Sequence, residues 1–592
     1  MNKEQKTCQN CKNEFIIEDE DFQFYKKIDV PAPTFCPECR EIRRCLFRNE
    51  RLLYKRNCDL CGFSVVSRVS PNKPYKMYCQ KCWWSDQWSG FDYGREYDFS
   101  RPFFEQFREL LFSTPHMAIQ NANSVNSEWV NQETDDKNCY LNVGGHYNED
   151  SAYNTYEVYG KNSFDNFWLL NSENCSNNIN CEKCFNVHFS YDSRDSMDSY
   201  FLFDCRNCSH CIGCTNLRNA KYCIFNKQLN KEEYEKFLTE NPPSSFDKLE
   251  EIKKKSKKVW MYSPRRNLFV LNSSNVSGNY IENSKNSKNV FYATMVENCK
   301  YSNILGWNKD SFDVTAFGAS EICYESSSGG GIYNSKFTSN CMSSDPMKKK
   351  HGFDLEYCIA VVAGNNCFGC VNLRNAEYSI FNKRYSKEEY REMVKKIKRH
   401  MIDMPYIDNK DRVYKYGEFF PSELSPFGYN ETVAMDYYPL EKEGAKKRGY
   451  IWEDYVFDTN YEFSDYIIPD DIKDVGDDIL EKVLKCEVSG KPYRIIPMEL
   501  QFYRQMELPI SRKSSLQRHK ERMICLLPRK LFKRECQCNT QPTTNNPQQT
   551  TYRNTTTHFH GESPCPNEFE TAYSPERKEI VYCEQCYQAE IY

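Results

Sequence analysis

The sequence predicts a mainly β protein, with a central parallel β-solenoid in two duplicated halves, tandem zinc ribbons flanking it at both ends, and few short helices. Three observations support this prediction. Cys-x-x-Cys motifs lie in pairs near both ends of the chain, the middle repeats a small residue before an aromatic residue at intervals near twelve, and residues 211–237 match residues 367–393 at seventeen of 27 positions. Repetition at a fixed short period is the sequence signature of a solenoid.

Composition limits the class of protein. A chain of 592 residues exceeds a single hydrophobic core, and aromatic residues at 15% are too frequent for a disordered polymer. The formal net charge of -4 gives no overall attraction to polyanions. Because the first residues lack an apolar signal segment and no run of about eighteen apolar residues occurs, we expect a soluble cytoplasmic protein with no membrane contact and with reduced cysteines.

We expect seven segments along the chain. In order they are zinc ribbon 1 (1–50), zinc ribbon 2 (51–118), solenoid half 1 with a closing helix (119–247), solenoid half 2 with a closing helix (248–400), an acidic aromatic linker (401–485), a degenerate metal-free ribbon (486–528) and a C-terminal zinc ribbon with a flexible insertion (529–592).

The N-terminal segment contains two complete sets of four cysteines with zinc-ribbon spacing. Two Cys-x-x-Cys turns on facing hairpins direct four thiolates at one ion and leave no open coordination position, which is typical of a structural zinc site. An interleaved pairing of the same motifs is the alternative. The two sets are Cys8, Cys11, Cys36 and Cys39, and Cys58, Cys61, Cys79 and Cys82.

A copy of the first ribbon lies 478 residues further along the chain, where the segment Gln23-Phe24-Tyr25 recurs as Gln501-Phe502-Tyr503. Cys8 is retained there as Cys486, but the other three ligand positions are not cysteine. We therefore expect the third ribbon to bind no metal and to be stabilised by its apolar residues. The substituted positions are Ser489, Ser514 and Gln517.

The fourth ribbon retains its ligands, because Cys565 and Cys583 have the same spacing as Cys61 and Cys79. A polar insertion rich in Thr, Asn and Gln separates the first two ligands and is expected to be a flexible loop. Zinc is the expected cofactor, at about three structural sites in the chain. The expected ligands of the fourth ribbon are Cys536, Cys565, Cys583 and Cys586, and the alternative ligands are Cys538, His558 and His560.

Arginine is dense between the paired cysteine motifs. Such a cluster suits contact with nucleic-acid phosphates, and the alternative is a helix face whose arginines pair with nearby acids. Trp83, Trp84 and Trp88 suit base stacking or packing of the ribbon against its neighbour. The candidate nucleic-acid contacts are Arg40, Arg43, Arg44, Arg48, Arg51, Arg518 and Arg522.

The middle of the chain predicts stacked coils with a narrow interior. Cys139, Ser151, Ser163 and Cys175 follow one another at equal steps, so we expect them to form an inward ladder of small side chains. Asn is abundant, and we expect it at turns with left-handed backbone, hydrogen-bonded to the next coil. One segment also suits an iron–sulfur cluster, although its copy in the second half lacks two of the four sulfurs. It contains Cys205, Cys208, Cys211 and Cys214.

Each half of the solenoid ends in a predicted helix. Asn230 with Glu233, and Ser386 with Glu389, have the spacing of a capping box. The duplicated Asn-Leu-Arg-Asn and Phe-Asn-Lys motifs are expected to dock this helix, and a ligand groove is the alternative.

Three segments of the chain resemble an uncharacterised family of multi-zinc-ribbon proteins from candidate-phyla-radiation (Patescibacteria) bacteria. They are PTFCPECREIRRCLFRNERLLYKRNCDLCG, CVNLRNAEYSIFNK and EIVYCEQCY. The resemblance covers nearly the whole chain and implies zinc and a bacterial cytoplasm. Some relatives have an automatic label of CaiB/BaiF-type CoA transferase, but the chain shows neither a nucleotide fingerprint nor a transferase pattern. The insertion at 537–564 departs from the family pattern.

The preferred hypothesis is a zinc-stabilised scaffold that presents a solenoid surface to a protein or nucleic-acid partner. The first alternative is a nucleic-acid-binding protein that uses the ribbon arginines. The second is a β-helix enzyme acting on carbohydrate, for which paired carboxylates would be needed. Its only candidate acids are Asp192, Asp195, Asp198 and Asp204, and His188 and His210 are expected to be packed rather than catalytic. No catalytic residue and no organic cofactor is assigned.

Overall fold

The computed structural model describes residues 3–343, 352–454, 461–538 and 552–592. Its contacts divide the chain into two compact units, Met1–Ile119 with Phe269–Tyr455, and Gln120–Leu268 with Val456–Tyr592. Each unit therefore combines the two ribbons of one chain end with one half of the solenoid. In the described residues, no helix has the length and apolar character needed to span a bilayer.

The fold class predicted from the sequence is confirmed. The N-terminal ribbons are hairpins, each with a later helix that begins at the second Cys-x-x-Cys. The strands of this segment are β1 (Glu4–Thr7), β2 (Glu14–Ile17), β3 (Tyr54–Asn57), β4 (Ser64–Ser67), β5 (Met77–Tyr78) and β6 (His116–Met117). Its helices are α1 (Asp19–Lys27), α2 (Pro37–Cys45), α3 (Gln80–Trp84) and α4 (Phe103–Ser113), with a 3-10 helix at Gly90–Tyr93.

The first half of the solenoid consists of short parallel strands and isolated bridges, and ends in two helices. Its strands are β7 (Asn121–Ala122), β8 (Glu133–Thr134), β9 (Thr155–Val158), β10 (Phe167–Leu170), β11 (Ile179–Glu182), β12 (Phe185–His188), β13 (Met197–Tyr200), β14 (Ser209–Ile212), β15 (Lys221–Ile224) and β16 (Lys227–Gln228). They are followed by α5 (Lys231–Glu240), α6 (Phe246–Met261) and β17 (Arg265–Arg266).

The second half is one sheet of eleven strands. These are β18 (Val270–Leu271), β19 (Ser274–Glu282), β20 (Lys285–Thr294), β21 (Lys300–Gly306), β22 (Phe312–Gly318), β23 (Glu321–Gly330), β24 (Tyr333–Ser339), β25 (Phe353–Ile359), β26 (Asn365–Phe368), β27 (Glu377–Ile380) and β28 (Lys383–Arg384). The closing helix is α7 (Lys387–Asp403), and the predicted capping boxes are present on α5 and α7.

The remaining elements lie after the solenoid. They are β29 (Tyr406–Ile407), β30 (Val413–Tyr414), α8 (Val433–Tyr437), α9 (Lys442–Lys447), β31 (Leu484–Lys485), β32 (Pro492–Tyr493), α10 (Pro497–Gln505), α11 (Ser515–Cys525), β33 (Phe532–Glu535), β34 (Glu568–Thr571), β35 (Val581–Tyr582) and α12 (Glu584–Ile591). Four 3-10 helices occur at Ser422–Leu424, Tyr429–Glu431, Ile472–Asp474 and Asp477–Glu481.

The coils repeat every twelve residues, and the backbone turns at every third residue. β10 and β11 pair in parallel with Phe167 opposite Ile179, and a left-handed residue recurs at steps of three, as at Tyr153, Tyr156 and Tyr159. The sequence predicted left-handed Asn at turns, but aromatic residues adopt the same conformation. One coil therefore has four sides of three residues, and each side directs one side chain inward.

One inward ladder consists of small side chains bonded from coil to coil, as predicted. Cys139, Ser151, Ser163 and Cys175 are all nearly inaccessible to solvent, and the Ser163 hydroxyl accepts the Cys175 amide at 3.4 Å. A second interior ladder is made of asparagine: Asn166 Oδ1 accepts the Asn178 amide at 3.0 Å, and its Nδ2 donates to the Cys175 carbonyl at 3.1 Å.

The segment expected to be a linker takes part in the cores. Tyr414, Phe419, Phe420 and Leu424 are buried in the core of the first unit, and the 3-10 helix Ile472–Asp474 contributes to a core of the second. The aromatic residues of this segment are the reason, because burying them removes a large apolar area from water.

We predict that Asn166→Ala lowers the free energy of unfolding by about 3 kcal/mol, because it leaves a buried amide and a buried carbonyl without partners. Urea denaturation followed by circular dichroism measures this change. Glu173→Ala, at an exposed position in the same coil, is the matched control and should change stability little. Equal effects of the two substitutions would contradict the role of the asparagine ladder.

Candidate metal centres

The first ribbon brings its four cysteines together. Cys8 and Cys11 lie in the turn between β1 and β2, and Cys36 and Cys39 lie at the start of α2. The four sulfurs are within 4.8 Å of one another, and Cys11 Sγ is 3.7 Å from Cys36 Sγ. Four sulfurs bound to one zinc at about 2.3 Å lie about 3.8 Å apart, so this set is arranged for a tetrahedral ion.

The second ribbon has the same arrangement. Cys58, Cys61, Cys79 and Cys82 form a second group within 4.8 Å, with Cys61 Sγ 3.9 Å from Cys79 Sγ. The Cys79 amide donates to Cys58 Sγ at 3.2 Å. Consecutive pairing of the motifs is therefore present in both N-terminal ribbons, and the interleaved alternative is wrong.

The third ribbon retains the backbone of the first without its ligands. The Cys486 amide donates to the Lys491 carbonyl at 2.9 Å, as the Cys8 amide does to Asn13. A left-handed residue follows each turn, Lys12 in the first ribbon and Gly490 in the third. Ser514 now caps α11 by accepting the Gln517 amide.

The fourth ribbon repeats two contacts of the second, and its converging group of four thiols contains Cys538 in place of the expected Cys583. Cys565 Sγ is 3.9 Å from Cys583 Sγ, and the Cys583 amide donates to Cys536 Sγ at 3.2 Å. Cys586 Sγ is 3.7 Å from Cys565 Sγ. The alternative ligands lie against this set: Cys536, Cys538, Cys565 and Cys586 form one group within 4.8 Å, and Cys538, His558, His560 and Cys586 form another.

The described part of the fourth ribbon's insertion is hydrogen-bonded to Glu590 of α12. Tyr552 Oη, the Thr555 amide and His558 Nε2 all bond to the Glu590 carboxylate. The part of the expected flexible loop at 539–551 lies outside the described residues.

The interior cysteines of the solenoid are not gathered around a common point. Among the described residues, the cysteine groups that converge within 4.8 Å lie in the ribbons. Each thiol of the 205–214 segment instead donates to the carbonyl two residues earlier, as Cys205 does to Phe203 and Cys211 does to Ser209. Burial raises the pKa of the Cys205 thiol well above its usual value. These contacts support a packing role.

Six of the seven arginines proposed to contact nucleic acid do not face solvent. Arg40, Arg43, Arg44, Arg48, Arg518 and Arg522 are buried, and Arg51 is partly exposed. Their guanidinium groups bond to groups of their own unit, so the six buried side chains are not accessible to a phosphate backbone. These contacts favour the alternative interpretation of the sequence, in which the arginines pair with nearby acids, over contact with phosphate.

In the first unit the arginines of α2 dock the ribbon onto the solenoid. Arg40 binds Asp313 with both Nε and Nη2, at 3.0 and 2.9 Å. Arg44 Nη1 lies 3.2 Å from the same carboxylate and 3.3 Å from Glu325. Phe24 of α1 stacks on Phe312 with ring centroids 3.9 Å apart. We call this group of arginines, carboxylates and stacked rings the staple.

The second unit contains the same staple at equivalent positions. Arg518 and Arg522 each lie 2.9 Å from the Asp165 carboxylate, and Phe502 stacks on Phe164 at 4.3 Å. Arg518 Nη2 also donates to Glu499 at 3.0 Å. The staple is present although this ribbon lacks three of the four thiols found in the first ribbon.

The duplicated Asn-Leu-Arg-Asn motif docks a ribbon rather than the closing helix. Arg374 lies over the rings of Trp83 and Trp88 at 5.6 and 5.4 Å, and donates to the Trp88 carbonyl. Arg218 lies over Tyr592 at 4.6 Å in the second unit. Trp83 and Trp88 are therefore packing residues, while Trp84 is 47% exposed.

The acidic residues nominated for catalysis are corner residues of the coils. Asp192 and Asp198 accept Asn180 and Asn186 of the preceding coil, Asp195 has the same left-handed backbone, and Asp204 accepts Tyr587 Oη at 2.6 Å. Their contacts account for them structurally.

The histidines expected to be packed are found in the coils. His188 is fully buried between Ser176 and Asn186, and burial lowers its pKa to about 3. It is therefore neutral near pH 7 and has no access to a substrate. His210 is partly exposed and lies beside Tyr222.

No protein-family model matches this chain, and no curated protein matches it either.

We predict that Arg40→Ala and Arg518→Ala each lower the free energy of unfolding by about 3–5 kcal/mol, because each leaves a buried carboxylate without its partner. Denaturation in guanidinium chloride with metal present measures the effect. Arg391→Ala, at an exposed position of α7, is the control and should be neutral. A loss below about 1 kcal/mol for both buried variants would contradict the staple.

We predict that Cys8→Ser removes one metal ion per chain and that Cys486→Ser, its equivalent in the third ribbon, removes none. The two residues have matching backbone surroundings but only Cys8 lies in a group of four thiols. Plasma mass spectrometry of the purified chains counts the metal. Loss of an ion from Cys486→Ser would show that the third ribbon also binds metal.

Proposed function

We propose that the protein is a zinc-stabilised scaffold that presents the outer face of its solenoid to a protein partner. The observation that carries this proposal is the duplicated staple, which attaches a ribbon to each solenoid half: a four-thiol ribbon in the first unit and its metal-free copy in the second. Closed sites of four thiolates hold structural zinc rather than reactive metal. Thiolates must be reduced to bind zinc, which suits the bacterial cytoplasm that the sequence resemblance implies.

Both halves present the same charged column to solvent, and this column supports the choice of a partner surface. Lys137, Glu149, Lys161 and Glu173 are bridged in succession, as Lys285, Glu297, Lys309 and Glu321 are. Lys137 Nζ is 2.6 Å from Glu149, and Lys285 Nζ is 3.4 Å from Glu297. We call each set a charged ladder. Alternating signs repel a polyanion as much as they attract it.

Exposed apolar side chains continue each charged ladder. Phe185 and Met197 follow in the first half with 46% and 48% exposure, and Tyr333 follows in the second with 38%. An apolar patch rimmed by mixed charge is the usual composition of a protein-binding surface. Nucleic acid is the weaker proposal, because the arginines that would contact phosphate are buried.

We predict that zinc removal with a chelator and a reductant exposes the ribbons and the strands that they cover, while the solenoid interior stays protected. The reason is that metal binding and ribbon folding are one equilibrium. Hydrogen exchange on the full chain should show faster exchange in α2, α3 and β21–β23, and little change in β10–β13. Uniform loss of protection would contradict a solenoid interior that stays folded without zinc.

We predict that Phe185→Asn with Met197→Asn abolishes partner cross-links at Lys161 without lowering the melting temperature. Cross-linking in cells that produce the protein, followed by nuclease treatment and mass spectrometry, measures the cross-links.

The matched control for this surface is Tyr147→Asn with Tyr159→Asn, a stacked pair that is 50% and 55% exposed on a different side of the coil. It should retain the cross-links. Cross-links that survive the first variant, or bound material that nuclease releases, would refute the proposed surface and favour another partner class.

A further inference from the structure

The fourth ribbon has more metal-binding groups than one ion takes up. Four of its thiols and two imidazoles form two groups, each within 4.8 Å, that have Cys538 and Cys586 in common, and the fifth thiol, Cys583, lies 3.9 Å from Cys565 Sγ. We propose that this ribbon binds two metal ions that share the Cys586 thiolate, so that the chain holds four ions rather than three.

The first ion occupies the equivalent of the second ribbon's site. Cys536, Cys565, Cys583 and Cys586 align with the four ligands of that ribbon. The agreement extends to distances: the two Sγ atoms of Cys565 and Cys583 are 3.9 Å apart, as are those of Cys61 and Cys79. With Cys583 as its fourth member, this set is complete without the histidines; Cys538, which lies in the 4.8 Å group with Cys536, Cys565 and Cys586, is then available to a second ion.

The second ion lies on the other side of Cys586. His560 Nε2 is 3.2 Å from Cys538 Sγ and 3.5 Å from Cys586 Sγ. Nitrogen and sulfur atoms bound to one zinc at about 2.1 and 2.3 Å lie about 3.6 Å apart. With His558, these groups make a set of two sulfurs and two nitrogens.

Both imidazoles are oriented as metal ligands. His558 Nε2 lies 3.2 Å from the Glu590 carboxylate, and His560 Nδ1 lies 2.7 Å from the Ser563 carbonyl. A metal-binding histidine usually donates its other N–H to a carboxylate or a backbone carbonyl, which fixes the tautomer and the ring. Each ring here uses one nitrogen in that way and leaves the other for an ion.

A single ion bound by the four thiolates leaves His558 Nδ1 without a role. His558 is 4% exposed, and its Nδ1 has no hydrogen-bond partner within the described part of the chain. A buried polar atom without a partner is costly. Two ions with one shared thiolate need seven protein ligands, which is the number that the ribbon supplies.

The balance of charge also favours two ions. One zinc with four thiolates has a net charge of about -2, whereas two zincs with five thiolates and two neutral imidazoles have about -1. The second ion thus reduces the repulsion among five clustered sulfurs. It also gives the insertion a purpose, because Cys538, His558 and His560 all come from the segment that this ribbon has and the second ribbon lacks.

Native mass spectrometry of the full chain with zinc tests the proposal, and four ions are expected. His558→Asn with His560→Asn should reduce the number to three. Cys586→Ser should reduce it to two, while Cys82→Ser, the equivalent substitution in the second ribbon, should reduce it only to three. The proposal is wrong if the wild-type chain holds three ions, or if the double histidine variant still holds four.

A second measurement addresses the shared thiolate without any substitution. In the chain loaded with cadmium-113, two nuclei bound to one sulfur should show resolved spin–spin coupling, and one pair of coupled resonances is expected. Four uncoupled resonances would show four separate sites and would overturn the shared Cys586. The three-ion outcome leaves the zinc-stabilised scaffold intact, so the two proposals fail independently.

Discussion

The two units depend on a buried arginine–carboxylate contact between a ribbon helix and the solenoid. In the first unit, Arg40 and Arg44 meet on Asp313, and in the second, Arg518 and Arg522 meet on Asp165. Removing charges from water is costly, and two arginines on one carboxylate, with further hydrogen bonds to neighbouring groups, offset that cost. Such a contact adds little net stability over an apolar one, but it fixes which face of the helix meets which coil.

The geometry of the coil explains why the solenoid needs these ribbons. A side of three residues admits one small inward side chain, so the interior is too thin to bury aromatic residues. Phe312 and Tyr324 in the second half therefore point outward, where Phe24 and Tyr25 pack against them and help to bury them. The high aromatic content of the chain follows from this arrangement, since most of the core lies between coil and ribbon. Left-handed backbone at aromatic residues such as Tyr156 costs about 1 kcal/mol each, which the coil-to-coil hydrogen bonds offset.

The sequence predicted the parts of this design that depend on spacing. The ribbon ligands, the coil of twelve residues and the inward Cys and Ser ladder follow from regular intervals, and so did the copy of ribbon 1 at 486–528. The sequence could not show which ribbon packs on which half, because the order of segments suggests neighbours along the chain. It also could not tell a buried Arg40 from an exposed one, since the partner Asp313 is 273 residues away. The sequence did contain one sign of these partners: an aspartate directly follows a phenylalanine at equivalent positions of the two halves, as Phe164-Asp165 and Phe312-Asp313.

In the second unit, the fourth ribbon retains its metal ligands, whereas the third ribbon has lost them and keeps the same fold. The third ribbon has Ser and Gln at three ligand positions, yet Glu499 reaches Arg518 at 3.0 Å, whereas its equivalent in the first ribbon, Asp21, instead binds Lys300. The longer side chain adds a buried contact inside the ribbon itself. Once the helix is held by Arg518 and by apolar packing around Phe502, the four-thiol site of the first ribbon is no longer needed for the same fold. A four-thiol site is therefore one of two ways to hold this ribbon together, and the staple is present in both.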